Sequence, residues 1–161
     1  MPTALIAEDE PLLAANLQAE LQRLWPDWRI VATVGHGDAA VEQALALQPA
    51  VLFLDIRMPG MSGLEAAQAI AEDWPDRSDT PFPLIVFVTA YDQYALQAFE
   101  RAAVDYIVKP VLPDRLAQTC ARLQATLKQR GEPHAGARCA SAACRRRQVC
   151  NSRSGCTGFS T

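Results

Sequence analysis

Val51-Leu52-Phe53-Leu54-Asp55 is an unbroken apolar run closed by a carboxylate. Apolar residues without alternation read as a strand buried on both faces, as in a parallel sheet covered by helices on each side. A carboxylate is costly to bury without partners. Asp55 therefore belongs at the carboxyl end of its strand, facing the crevice where open α/β sheets take ligands. The pattern recurs elsewhere in the chain. Ala4-Leu5-Ile6-Ala7 runs into Glu8-Asp9-Glu10, Leu84-Ile85-Val86-Phe87-Val88 into Thr89, and Tyr106-Ile107-Val108 into Lys109-Pro110. In a parallel sheet these ends share one edge, which gathers Glu8, Asp9, Asp55, Thr89 and Lys109.

Helical patterns separate the strands. Leu13, Leu17, Leu21 and Leu24 mark one face of a helix over residues 11–25, with Pro11 suited to its first turn. A second strand lies near 30–34, and a helix over 39–47 closes ahead of Pro49. Ser62-Gly63-Leu64-Glu65 is a capping box opening a helix whose stripe is Leu64, Ala67, Ala71 and Trp74. Residues 74–83 read as a polar, Pro-rich loop, 92–102 as a short Ala-rich helix and 105–108 as the fifth strand. The last helix, over 113–129, carries Leu116, Cys120, Leu123 and Leu127 on one face, which makes Cys120 a small core residue. This alternation predicts an α/β fold: a flavodoxin-like, doubly wound, five-stranded parallel sheet in the order 2-1-3-4-5 with five helices. Strands one and three then flank the switch point, where Glu8, Asp9 and Asp55 meet.

Half of the 161 residues are apolar, enough for one ordinary domain with its own core. No apolar stretch is long enough to cross a bilayer and no basic-then-apolar leader opens the chain, so the expectation is a cytoplasmic protein. Residues 1–130 hold 10 Lys and Arg against 17 Asp and Glu, which argues against nonspecific nucleic-acid binding by that part. Residues 131–161 hold 5 Arg against 1 Glu, have no apolar periodicity, and are expected to form a disordered basic tail. Cys139, Cys144, Cys150 and Cys156 are spaced too widely for an ordinary structural zinc site. Arg145-Arg146-Arg147 offers phosphate contacts, but without a folded reader it specifies no sequence.

Three carboxylates at one crevice repel one another unless a cation joins them. An all-oxygen donor set suits Mg²⁺, which co-binds phosphoryl oxygens. A carboxylate can attack phosphorus to give an acyl phosphate, provided charge on the transferring oxygens is neutralised. Lys109 supplies part of that neutralisation, and the Thr89 hydroxyl can hydrogen-bond a phosphoryl oxygen.

The motifs IAEDE over 6–10, LFLDIRMPGMSGLE over 52–65, VFVTA over 86–90 and DYIVKP over 105–110 together resemble the response-regulator receiver domain, the CheY-like family. The resemblance covers about residues 1–130. It implies that Asp55 is the phosphoacceptor, that Asp9 ligates Mg²⁺ directly with Glu8 acting mainly through water, and that Arg57 contributes its backbone carbonyl. Thr89 and Lys109 would read the phosphoryl group, and Tyr106 would be the aromatic that swings inward as Thr89 moves. A sensor histidine kinase would be the phosphodonor. Arg57 and Tyr91, two positions beyond Asp55 and Thr89, would shade the acyl phosphate and slow its hydrolysis. Homodimerisation would use the face of the fourth helix, fifth strand and fifth helix, with Glu100, Arg101, Asp105 and Arg122 as charged contacts. Residues 89–100 and 103–110 further resemble receivers of the LytTR-type (AlgR/LytR-like) regulators, whose output domain binds DNA. Nothing after residue 130 reads as such a domain, and the tail has the composition of an out-of-frame reading of GC-rich DNA. The remaining alternatives are a stand-alone receiver acting by protein contact, a receiver-like module that no longer takes phosphate, and an Asp-nucleophile phosphatase. The haloacid-dehalogenase type of phosphatase carries a second Asp where this chain has Arg57, which disfavours it.

Overall fold

Val51–Asp55 forms the central strand, β3, every residue of which is buried. A computed structural model describes residues 1–76, 79–90 and 103–131. Within them β1 (Thr3–Ala7), α1 (Pro11–Leu24), β2 (Arg29–Val34), α2 (Gly37–Leu47), β3, α3 (Gly63–Asp73), β4 (Leu84–Thr89), β5 (Ala103–Val108) and α4 (Pro113–Gly131) follow in order. The expected helix over 92–102 lies outside the described residues, so the expected fifth helix is α4 here. The strands make one sheet in the order β2-β1-β3-β4-β5, each neighbouring pair parallel. Residues Met1–Leu127 form one compact unit and the chain from Lys128 onward is assigned to another.

The absence of alternation in the strands follows from two apolar layers. Val51 and Phe53 of β3 join Ala4 and Ile6 of β1 and Val86 and Val88 of β4 in a core with α1 and α4. Leu52 and Leu54 point the other way, with Leu5, Ala7, Ile85 and Phe87, onto α2 and α3. In β1, β3 and β4 every second residue thus faces one apolar layer, and polar side chains are kept to the strand ends.

The helices differ from the sequence expectation in detail. In α3 the buried residues are Gly63, Ala66, Ala67 and Ile70, with Leu64 and Trp74 partly buried against the same layer. Ala71, expected in that stripe, is exposed. Ile70 carries more apolar surface than Ala71, and rotating the helix to bury it turns Ala71 outward. In α1, Ala14, Leu17 and Leu21 are buried, and the chain leaves the helix through a stacked pair, Trp25 and Trp28, with ring centroids 4.2 Å apart. Both indoles are buried. Cys120 is buried against α1 and the sheet, and burial pushes its thiol pKa up to about 12, so it packs as a small hydrophobe.

The capping box forms as expected: the Glu65 N–H donates to Ser62 Oγ at 3.2 Å, and the Ser62 N–H donates to Glu65 Oε2 at 2.8 Å. Replacing Ser62 by Ala is expected to cost about 1 kcal/mol, measured by urea denaturation; an unchanged midpoint would show that the Glu65 arm alone suffices.

Candidate functional site

Each strand of the central trio delivers a polar group to the carboxyl edge. The chain leaves β1 into Glu8, whose N–H donates to Val34 O of β2 at 2.9 Å and so prolongs the strand pairing by one residue. Glu8 is 4% exposed and Asp55 4%, while Asp9 beside them is exposed. One carboxylate oxygen from each of Glu8, Asp9 and Asp55 lies within 4.8 Å of the other two. The three acids meet because β1 and β3 are neighbours, with Ala7 opposite Leu54.

Lys109 reaches the same point from β5. Its Nζ lies 2.8 Å from Glu8 Oε2 and 2.9 Å from Asp55 Oδ2. The backbone fixes where this side chain starts, since the Lys109 N–H donates to Thr89 O at 2.8 Å. The Lys109–Pro110 peptide bond is cis. Thr89 is fully buried at the end of β4. The Arg57 N–H donates to Asp55 Oδ1 at 3.2 Å, while the Arg57 side chain is exposed. Tyr106 is half-buried on β5. The structure therefore brings Glu8, Asp9, Asp55 and Lys109 together, places Thr89 against Lys109, and puts Tyr106 on the strand that leads into Lys109. Tyr91 lies outside the described residues.

Two buried carboxylates share one ammonium, and the electrostatics record the imbalance. Burial, then the negative charge of Asp55, pushes the Glu8 pKa above the usual carboxylate value despite the Lys109 hydrogen bond. Burial works to lower Lys109, but its hydrogen bonds to Glu8 and Asp55 and their charges outweigh it and hold the ammonium above its ordinary value. A site with surplus buried negative charge and an exposed third carboxylate at its mouth suits a small hard cation.

A glycine sets the backbone beneath Asp55. The Gly63 N–H donates to Ile56 O at 3.0 Å, closing the loop from β3 into α3. A Cβ at Gly63 would collide with the carbonyl group of Asp55 and crowd Ile56 Cα. The α3 N-terminus is thereby packed directly against the phosphoacceptor candidate's own backbone.

A second polar cluster was not legible in the sequence. Asp105 of β5 is 6% exposed. It accepts from Arg115 Nη2 at 2.7 Å, Arg115 Nη1 at 3.2 Å, Thr119 Oγ1 at 2.9 Å and the Tyr106 N–H at 2.9 Å. Arg122 Nη1 approaches it to 3.2 Å. Asp105 is thus consumed within the chain, which corrects its expected use as a charged contact between two copies; Glu100 and Arg101 lie outside the described residues. The β4–β5 register shifts between Ile85 and Val86, so that Ala103 and then Asp105 are the consecutive partners. Such an irregularity re-aims side chains, and here Val104 packs with the α1/α4 core while Asp105 meets α4.

Burial works to raise the Asp105 pKa, but hydrogen bonds from Arg115, Thr119 and the Tyr106 N–H, with the Arg115 charge, outweigh it and leave the carboxyl below its ordinary value. Folding therefore lowers this pKa. The stabilisation is complete above the unfolded-state value, about 3.9, and is lost as pH falls through the lower folded-state value. Asp105→Asn is expected to cost about 1.5 kcal/mol at pH 7. That difference should shrink progressively in denaturation series carried below pH 4, and a gap constant across the series would count against the account.

Residues 4–121 match the family model of the response regulator receiver domain. An uncharacterized response regulatory protein of Vibrio cholerae is 44% identical over 131 residues, covering 81% of this chain and 48% of the relative. The transcriptional regulatory protein BtsR of Escherichia coli is 42% identical over 124 residues, covering 77% of this chain and 48% of the relative. The REC domain of AraT, a response regulator from Geobacillus stearothermophilus, superposes with a TM-score of 0.70 at 30% identity, over 81% of this chain and 98% of that one. The chain spans about half the length of the curated relatives it matches. Among the described residues no helix is long and apolar enough to cross a membrane. With the strand order, the acidic cluster at the strand ends and the family match agreeing over most of its length, this chain belongs to the response regulator receiver domains of two-component signalling.

Proposed function

We propose that this receiver, spanning residues 1–130, takes a phosphoryl group from a sensor histidine kinase onto Asp55 and passes the signal through its β5–α4 side. The observation that carries the reading is the pairing of Asp55 with Lys109 at 2.9 Å beside Glu8 and Asp9. An Asp55 carboxylate oxygen attacks phosphorus in line with the bond to the histidine nitrogen. The O–P bond forms as the P–N bond breaks, and the departing imidazole takes up a proton. Lys109, already charged and held between Glu8 and Asp55, moves its ammonium to a phosphoryl oxygen. Thr89 donates its hydroxyl to another.

The donor set fits Mg²⁺: oxygen atoms only, three carboxylates, and a surplus of negative charge. Asp9 and Asp55 would hold it directly, Glu8 through water, and Arg57 by its backbone carbonyl. When bound, it neutralises charge on the transferring oxygens.

The signal leaves by Tyr106, which swings inward as Thr89 moves and remodels the face of β5 and α4. That face supports homodimerisation. The resemblance of residues 89–100 and 103–110 to LytTR-type receivers, with the likeness to the transcriptional regulator BtsR, supports a DNA-binding LytTR-type output supplied by a longer natural product. The cytoplasm is the expected location.

Incubating the protein with acetyl phosphate tests the reading. Intact-mass spectrometry should show one added phosphoryl group with Mg²⁺ and none with excess chelator. Uptake indifferent to the chelator would overturn the metal assignment, and repeated turnover of phosphate esters would replace the switch by an enzyme.

A further inference from the structure

Arg115, in the first turn of α4, makes contacts that the phosphoacceptor chemistry does not use. Its guanidinium forks onto Asp105 at 2.7 and 3.2 Å. The same Nη2 donates to the backbone carbonyl of Tyr106 at 2.8 Å. Nη1 also reaches Thr119 Oγ1 at 3.3 Å, one turn further along α4. The guanidinium carbon lies 5.9 Å from the centre of the Tyr106 ring, within cation–π range. One side chain thus holds the strand before Tyr106, the Tyr106 carbonyl and the ring itself.

The partners fix Arg115 more firmly than a surface arginine. Asp105 is almost fully buried and Thr119 fully so, and Thr119 Oγ1 bonds Asp105 Oδ2 at 2.9 Å, which completes the cluster. A planar guanidinium engaged at both nitrogens has little rotational freedom. Wherever Tyr106 goes, its ring must leave or keep a cation that cannot follow it.

Resting on the reading of Tyr106 as the switch, we propose that Arg115 is the positioning residue that sets the switch. Anchored by Asp105 and Thr119, it holds the Tyr106 ring in its half-exposed position in the unphosphorylated protein. Inward movement of the ring on phosphorylation gives up the cation–π contact while the Asp105 anchor stays in place. Arg115 therefore biases the resting equilibrium and sets how much of the receiver is switched before any phosphoryl group arrives.

The test is ¹⁹F NMR of protein in which the three tyrosines are fluorinated, the Tyr106 signal being assigned by its loss in Tyr106→Phe. In the unaltered protein this signal should move on phosphorylation by acetyl phosphate and Mg²⁺. In unphosphorylated Arg115→Gln it should already lie part of the way along that line. Losing one exposed cation–π contact should raise the switched-to-resting ratio on the order of 2–5-fold. Arg115→Lys keeps a cation but not the fork, so it should fall between the two, and it carries the test if the Gln variant does not fold. A merely structural role would broaden signals or lower the melting temperature without moving Tyr106 along that line. If the unaltered protein's Tyr106 signal moves on phosphorylation but both Arg115 variants rest where the unaltered protein rests, the positioning role is wrong. If Tyr106 does not move on phosphorylation at all, the switch reading fails, and this proposal with it.

Discussion

Asp55→Asn should take up no phosphoryl group from acetyl phosphate at any Mg²⁺ concentration. The amide keeps the shape of the carboxylate and can still occupy the buried place at the end of β3. It lacks a lone pair of comparable nucleophilicity and cannot leave an acyl phosphate. Neither neighbouring acid is placed to substitute. Glu8 is buried with both oxygens near Lys109 Nζ and is pushed toward its neutral form by burial, and Asp9 is exposed at the rim. The folded state should survive, because the introduced amide oxygen can accept the Lys109 hydrogen bond that Asp55 now accepts at 2.9 Å. Circular dichroism unchanged together with no mass increment is the expected pair of results. Residual labelling of the variant, mapped to another acid, would sink the assignment of Asp55.

Gly63→Ala should damage both stability and phosphoryl uptake. The added methyl meets backbone, not the flexible end of a side chain: the carbonyl group of Asp55 and Ile56 Cα. Neither can step aside without moving β3 or the start of α3. Overpacking of this kind costs about 1–3 kcal/mol. The functional loss should be larger than that figure suggests, since the displaced backbone carries Asp55, the proposed nucleophile. A misplacement of about 1 Å at a reacting group can cost on the order of 10²-fold in rate. Stopped-flow or timed mass measurements of phosphorylation, beside a urea titration, separate the two effects. A variant that loses stability but phosphorylates at the normal rate would show that α3 shifts and β3 does not.

What could be read from the residues follows from where the physics is local. A polar residue closing an apolar run has one place to go in a covered parallel sheet, so the shared edge of Glu8, Asp9, Asp55, Thr89 and Lys109 was legible, while the strand order came from the doubly wound fold class. The capping box was legible because its partners are three residues apart. Asp105 was not. It stands inside an apolar stretch, and its partners Arg115 and Thr119 are supplied by the following helix, 10 and 14 positions away. The register shift beside it breaks the period of two on which any strand reading rests. Ala71 was misplaced for a related reason: alanine is small enough to satisfy either face of a helix, and Ile70 decided the rotation. The Trp25–Trp28 stack sits where a helix ends and a strand has yet to begin, and no periodicity covers that turn.

Lys109 joins Glu8 across 101 positions and Asp55 across 54. A ribosome that has reached Val108 has made all three carboxylates and no ammonium to hold them. The charge that completes the centre arrives after every other strand-end group has been synthesised. If Asp55 is the phosphoacceptor, a chain interrupted before Lys109 therefore has the acceptor and lacks the cation that pairs with it.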